Sequence, residues 1–128
     1  MSPEHDKRLA VTAEALYLIN LLLLPGIAFI WLVLLYRKHR DEASPLALCH
    51  LRQTLVASIW AGVLLVPFTL LTIAVGGYDS IGAWTVALIY FISCHNSLIL
   101  LGVVGLSKAM SGQLWRYAII GTVCGTEP

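Results

Sequence analysis

Charge is scarce in this sequence. Only 12% of its 128 residues are Asp, Glu, Lys or Arg, against about 25% in a typical water-soluble domain. The net charge of +1 provides no field to recruit nucleic acid. Catalytic signatures are missing too: there is no Gly-rich phosphate loop, no H-E-x-x-H and no G-x-S-x-G. A non-enzymatic protein without a cofactor or metal is therefore expected. The apolar stretches hold no acid. Glu14 and Asp79 are the nearest and lie at their ends, whereas a pump or ion-coupled carrier usually carries an intramembrane carboxylate. Cys49, Cys94 and Cys124 are odd in number and have no C-x-x-C spacing, so they read as free thiols. No small-x-small cleavage pattern follows the first apolar run, and residues 1 to 14 mix acids with bases, so that run is expected to remain as a span.

Apolar surface is what the chain has in excess: 59% of the residues are hydrophobic. A chain this short cannot bury that much in a soluble core. A bilayer resolves the conflict, because about 20 residues at 1.5 Å each cross about 30 Å of hydrocarbon. The expectation is an all-α integral membrane three-helix bundle forming a single domain over residues 1–128, with spans at about 15–36, 54–76 and 81–108. Pro25-Gly26 falls in the middle of the first run, which predicts a first helix kinked or briefly broken there, and Pro67 predicts a bend in the second. Ser44-Pro45 reads as a helix start, and Gly76-Gly77-Tyr78-Asp79-Ser80 as a tight turn. The stretch Ala118 to Val123 is too short to cross and is expected to lie at the interface or to pack on the bundle.

Orientation follows from the cations. Arg37, Lys38, Arg40 and Arg52 surround the first loop, Lys108 and Arg116 lie near the C-terminus, and the second loop has neither Lys nor Arg. The positive-inside rule then puts the first loop and C-terminus in the cytoplasm of a bacterial inner-membrane protein, with the N-terminus outside. Lys7 and Arg8 weigh against that last assignment.

Two groups of residues are candidate sites. His95 lies mid-span within Ser93-Cys94-His95-Asn96-Ser97. An ionisable side chain at that depth should face protein, water or a ligand. The readings are a neutral interhelical hydrogen bond, a proton-relay or quinone residue, and a haem ligand. His50 is the only other helical candidate for a bis-His haem, and it lies roughly 20 Å away along the axis, too far to share one iron. At 100° per residue, Ser93, Asn96 and Ser97 share one arc, and His95 points about 150° from its centre. One helix in a three-helix triangle cannot cover both faces, so a partner subunit or a homo-oligomer is expected. The second group, His50, Arg52 and Gln53 with Arg37, Lys38 and Arg40, reads as a cytoplasmic interface site that meets headgroups or a docking partner. Ala57-x-x-x-Ala61, Ser58-x-x-x-Gly62 and Gly105-x-x-x-Ala109 have the small-residue spacing that lets helices approach.

Certain motifs also carry a resemblance. The Pro/Gly-broken first run, Ser44-Pro45, His50-Leu51-Arg52-Gln53 and Ser111-Gly112-Gln113-Leu114-Trp115-Arg116-Tyr117 resemble the small bacterial Tic20-like (DUF4870-type) membrane proteins, over roughly residues 16 to 121. Many members end in Tyr-Arg-Tyr-Pro, whereas here Ala118 follows Trp115-Arg116-Tyr117. The resemblance implies a helical bundle, nothing catalytic, and by analogy a role in protein translocation or insertion. The residues themselves favour an accessory or assembly subunit in contact with the lipid bilayer. A haem- or quinone-binding electron-transfer subunit using His95 is the third reading.

Overall fold

The structure, a computed structural model, describes residues 3–115. The expected interfacial segment at 118–123 and Cys124 lie outside them. The described residues are helical with short turns: α1 (Pro3–Leu22), α2 (Ile27–His39), α3 (Pro45–Leu65), α4 (Pro67–Gly76) and α5 (Ile81–Met110).

Helix boundaries follow local chemistry. The Ser44 hydroxyl accepts the Ala47 N–H at 3.3 Å, and Pro45 occupies the first turn of α3, where a missing N–H is harmless. Ser80 caps α5 in the same way, accepting the Ala83 N–H at 3.1 Å. Between α4 and α5, Gly77 turns the chain at φ 100°, a left-handed conformation that only glycine adopts at little cost. Pro67 divides the second apolar run into α3 and α4 at Val66, because it brings no N–H to the preceding turn.

The first apolar run departs from expectation. It is a reversal and not a kinked span over 15–36. Helix α1 stops at Leu22, where the N–H groups of Leu23 and Leu24 both donate to the Ile19 carbonyl at 2.9 Å. Gly26 then adopts φ 87°, and its N–H donates to Asn20 Oδ1 at 2.8 Å. These bonds fold α2 back along α1. His39, at the end of α2, comes to rest beside His5, with ring centroids 6.2 Å apart. The start of α1 and the α2–α3 turn therefore lie at the same end of the molecule, which we term proximal. The expectation that they lie at opposite ends is overturned, because the turn at residues 23–26 sends the 13 residues of α2 back beside the 20 of α1 instead of onward.

Two continuous segments, not three, are long and apolar enough to cross a bilayer among the described residues: Pro45–Gly76 with 32 residues and Ile81–Met110 with 30. Helix α1 packs between them, parallel to α3 and antiparallel to α5. Leu9, Ala13 and Leu16 of α1 meet Leu32 of α2 and Leu51 of α3 in a first apolar cluster. Tyr17, Ala57, Ala61, Leu65 and Leu98 form a second beyond it. At Gly102 α1 approaches α5 closely: a Cβ there would meet Leu18 Cδ2 at 2.6 Å and Tyr17 Cε2 at 2.7 Å. Past the hairpin tip the molecule thins to two helices. No residue of α4 is buried.

Candidate functional site

Three polar features lie along the molecule. The proximal core holds a buried pair. Ala10, Ala13, Glu14 and Tyr17 recur at helical spacing on α1, and all four are inaccessible to solvent. His50, Gln53 and Thr54 form the facing stripe of α3, equally inaccessible. Glu14 Oε2 pairs with His50 Nδ1, and His50 Nε2–H donates to the Gln113 carbonyl oxygen at 2.9 Å. A carbonyl only accepts, so the Nε2 proton is fixed, and one further proton is shared between Nδ1 and the carboxyl group. Thr54 Oγ1 donates to the His50 carbonyl at 2.7 Å, holding the hydroxyl within its own helix. The arrangement ties α1, α3 and the segment after α5 together at one point.

This pair corrects the expected interface cluster. His50 and Gln53 are buried, while Arg52 projects from the opposite side of α3 and Arg37, Lys38 and Arg40 are exposed. The 100° step separates residue 52 from residues 50 and 53, so one helix end carries a cationic outside and a hydrogen-bonded inside. Glu14, which looks like a span-end acid in the sequence, is a core residue. The cysteines also divide: Cys94 is a free thiol, and Cys49 is disulfide-bonded, contrary to the reading as thiols.

At the tip of the α1–α2 hairpin, halfway along α5, His95 faces inward. Its Nε2–H donates to the Leu21 carbonyl at 2.9 Å. That carbonyl belongs to the last turn of α1, where no helical N–H remains to meet it. Tyr90 performs the same service at the Pro67 break, its hydroxyl donating to the Leu64 carbonyl at 2.7 Å. Tyr17, from α1, donates to the Leu98 carbonyl at 3.1 Å. A groove of ≈ 640 Å³ opens beside His95, walled by Asn20, Phe29, Ser58, Gly62 and Phe91 among others. Phe91 stacks on the His95 ring with centroids 5.5 Å apart.

The third feature is the outer face of α5. Ser93, Asn96 and Ser97 are exposed there, on the side away from His95. The Ser97 hydroxyl donates to the Ser93 carbonyl at 2.9 Å, which satisfies it within the helix. Asn96 has no side-chain partner among the described residues. The sequence thus names these four residues together, and the fold separates His95 from the other three. Among the described residues no three His, Cys, Asp or Glu side chains gather as metal ligands.

Comparison with protein-family models, curated proteins and solved structures finds no match for this chain.

Proposed function

We propose that this protein is a small integral membrane subunit, without catalytic activity of its own, that packs through the outer face of α5 against a larger membrane complex or a second copy of itself. Asn96 carries the reading. It lies near the midpoint of a 30-residue apolar helix, exposed, with apolar Ile92 and Leu100 exposed one turn to either side. A carboxamide without a partner in hydrocarbon costs about 2–7 kcal/mol, and an interhelical hydrogen bond relieves that cost. Ser93 and Ser97 flank it at small-xxx-small spacing, which lets a partner backbone come close.

The proximal end is the cytoplasmic one in this reading, and the membrane is the bacterial inner membrane. Arg37, Lys38, Arg40, Arg52 and Lys108 belong to that end, whereas Asp79 is the lone charge in the distal turn. Lys7 and Arg8, at the start of α1, now add to the same side. The translocation role implied by the Tic20-like resemblance rests on the motifs alone. Haem ligation by His95 Nε2 is disfavoured, because it would break the bond to the Leu21 carbonyl.

The test is a Leu100→Cys variant, with Cys94 replaced by Ala and Asn96 kept, cross-linked in native membranes with a short thiol-reactive bifunctional reagent. A discrete adduct is expected, together with at least a tenfold loss of that adduct when Leu replaces Ser93 and Ser97 as well. A protein that gives no adduct and runs as a monomer in mild detergent would sink the proposal.

A further inference from the structure

We infer that the groove at the hairpin tip is a binding site for a neutral, membrane-soluble ring compound of the quinone or quinol class. The inference uses the membrane placement proposed above and is independent of the α5 partner. Four observations converge on it. The groove volume, ≈ 640 Å³, falls within the range of small-molecule sites, about 300–1,000 Å³. Its walls are apolar apart from a few polar side chains, the usual pattern of such a site. Ser58 is 5% exposed, and its Oγ is buried with no partner among the described residues. A serine in a helix ordinarily has its own i−4 carbonyl as an acceptor, so this idle hydroxyl in the groove wall stands ready for a guest. Asn20 and His95 also have spare capacity. Asn20 Oδ1 is taken by the Gly26 N–H, leaving the amide NH₂ to donate. His95 Nε2 is taken by Leu21, leaving Nδ1 to accept.

Depth selects the ligand. His95 lies at the middle of α5, so the polar groups sit near the bilayer midplane. A phospholipid headgroup belongs at the interface and cannot descend there without desolvating its charge. A quinone carries only uncharged carbonyl oxygens, which can accept from Ser58 and Asn20. Its reduced form adds hydroxyls that can donate to His95 Nδ1. Phe29 and Phe91 line the groove from α2 and α5, and aromatic walls suit a planar ring.

The experiment places the full chain in phosphatidylcholine nanodiscs and irradiates it with an azido-benzoquinone bearing a short alkyl tail. Labelled peptides are mapped by mass spectrometry. Labelling concentrated at Phe29, residues 58–62 and Phe91 is expected, reduced at least tenfold by excess decyl-benzoquinone and unchanged by excess decanol. The Gly62→Phe variant should lose that labelling. A Cβ at Gly62 meets no atom within 4 Å, so the new side chain starts into open space, and an unchanged thermal unfolding midpoint checks that the fold is kept. Ser58→Ala should weaken labelling several-fold. Equal competition by decanol would make the groove an acyl-chain crevice and overturn the inference, as would labels scattered over all outward-facing residues or a Gly62→Phe protein that labels normally. A chain that fails to enter nanodiscs at all would instead defeat the membrane reading.

Discussion

The proximal and distal halves of this molecule are built on different principles. In the proximal half, α1 and α2 pack on α3 and the end of α5, and a buried Glu14–His50 pair sits between two apolar clusters. The distal half is α4 and the start of α5, with Phe68 stacked on Tyr90 and little else enclosed. Leu71, Val75 and Ile81 are more than half exposed there. So much contiguous exposed apolar surface is rare on a monomer in water. Lipid tails are as apolar as leucine, so in the proposed setting the distal hairpin needs no further cover, and hydrogen bonds and close contact hold the proximal half.

This contrast predicts where mutations are felt. The largest effect is expected at the buried pair. Glu14→Ala leaves His50 without its partner in a closed core and should cost about 3–5 kcal/mol of stability, read from thermal unfolding in detergent. Glu14→Met combined with His50→Leu should recover part of that loss, because an apolar replacement of both partners removes the buried pair while the Gln113 carbonyl loses its donor. An unfolding midpoint unmoved by Glu14→Ala would show that the proximal core does not depend on the pair.

A middle-sized effect is expected where the two halves meet. His95→Ala removes the donor to the Leu21 carbonyl and should cost about 1–3 kcal/mol, the penalty for an unsatisfied buried acceptor. The hairpin tip should loosen with it, raising amide exchange at Leu23 and Leu24, while His95→Gln should retain part of the protection. Equal exchange in all three proteins would mean that the tip holds itself. The smallest effect belongs to the distal surface. Val75→Ala should change stability by no more than about 0.5 kcal/mol. A loss several times larger would imply that something covers the distal end.

The sequence made one half easier to read than the other. Uninterrupted apolar runs, with Ser44-Pro45 and the Gly77–Ser80 turn as punctuation, mark α3, α4 and α5 and their limits. Pro25-Gly26 is ambiguous, since a proline in an apolar helix can signal a bend or a reversal. The choice is made by long-range contacts: Asn20 reaches Gly26, and His95 reaches Leu21, 74 residues earlier. No local pattern announces the second. The stripes of His50, Gln53, Thr54, Ala57, Ser58 and Ala61 and of Ala10, Ala13, Glu14 and Tyr17 have helical spacing, but composition distinguishes neither from its neighbours, so neither stands out in the sequence. What the sequence withheld is that these two stripes face each other, which turns an apparent end-of-span acid and a headgroup histidine into one buried couple. The opposing directions of His95 and Asn96 on α5 were readable from the 100° step alone.

The reversal at residues 23–26 also bears on how the chain is made. With α2 returning to the end where α1 began, Glu4, Asp6, Lys7 and Arg8 stay, in the proposed setting, on the same side as the α2–α3 turn and need not be carried through hydrocarbon. If the chain sits in a bilayer as proposed, the loop among the described residues that the insertion machinery must thread is the short segment from Gly77 to Ser80, with Asp79 as its single charge, and the hairpin can sink in from the side on which it was synthesised.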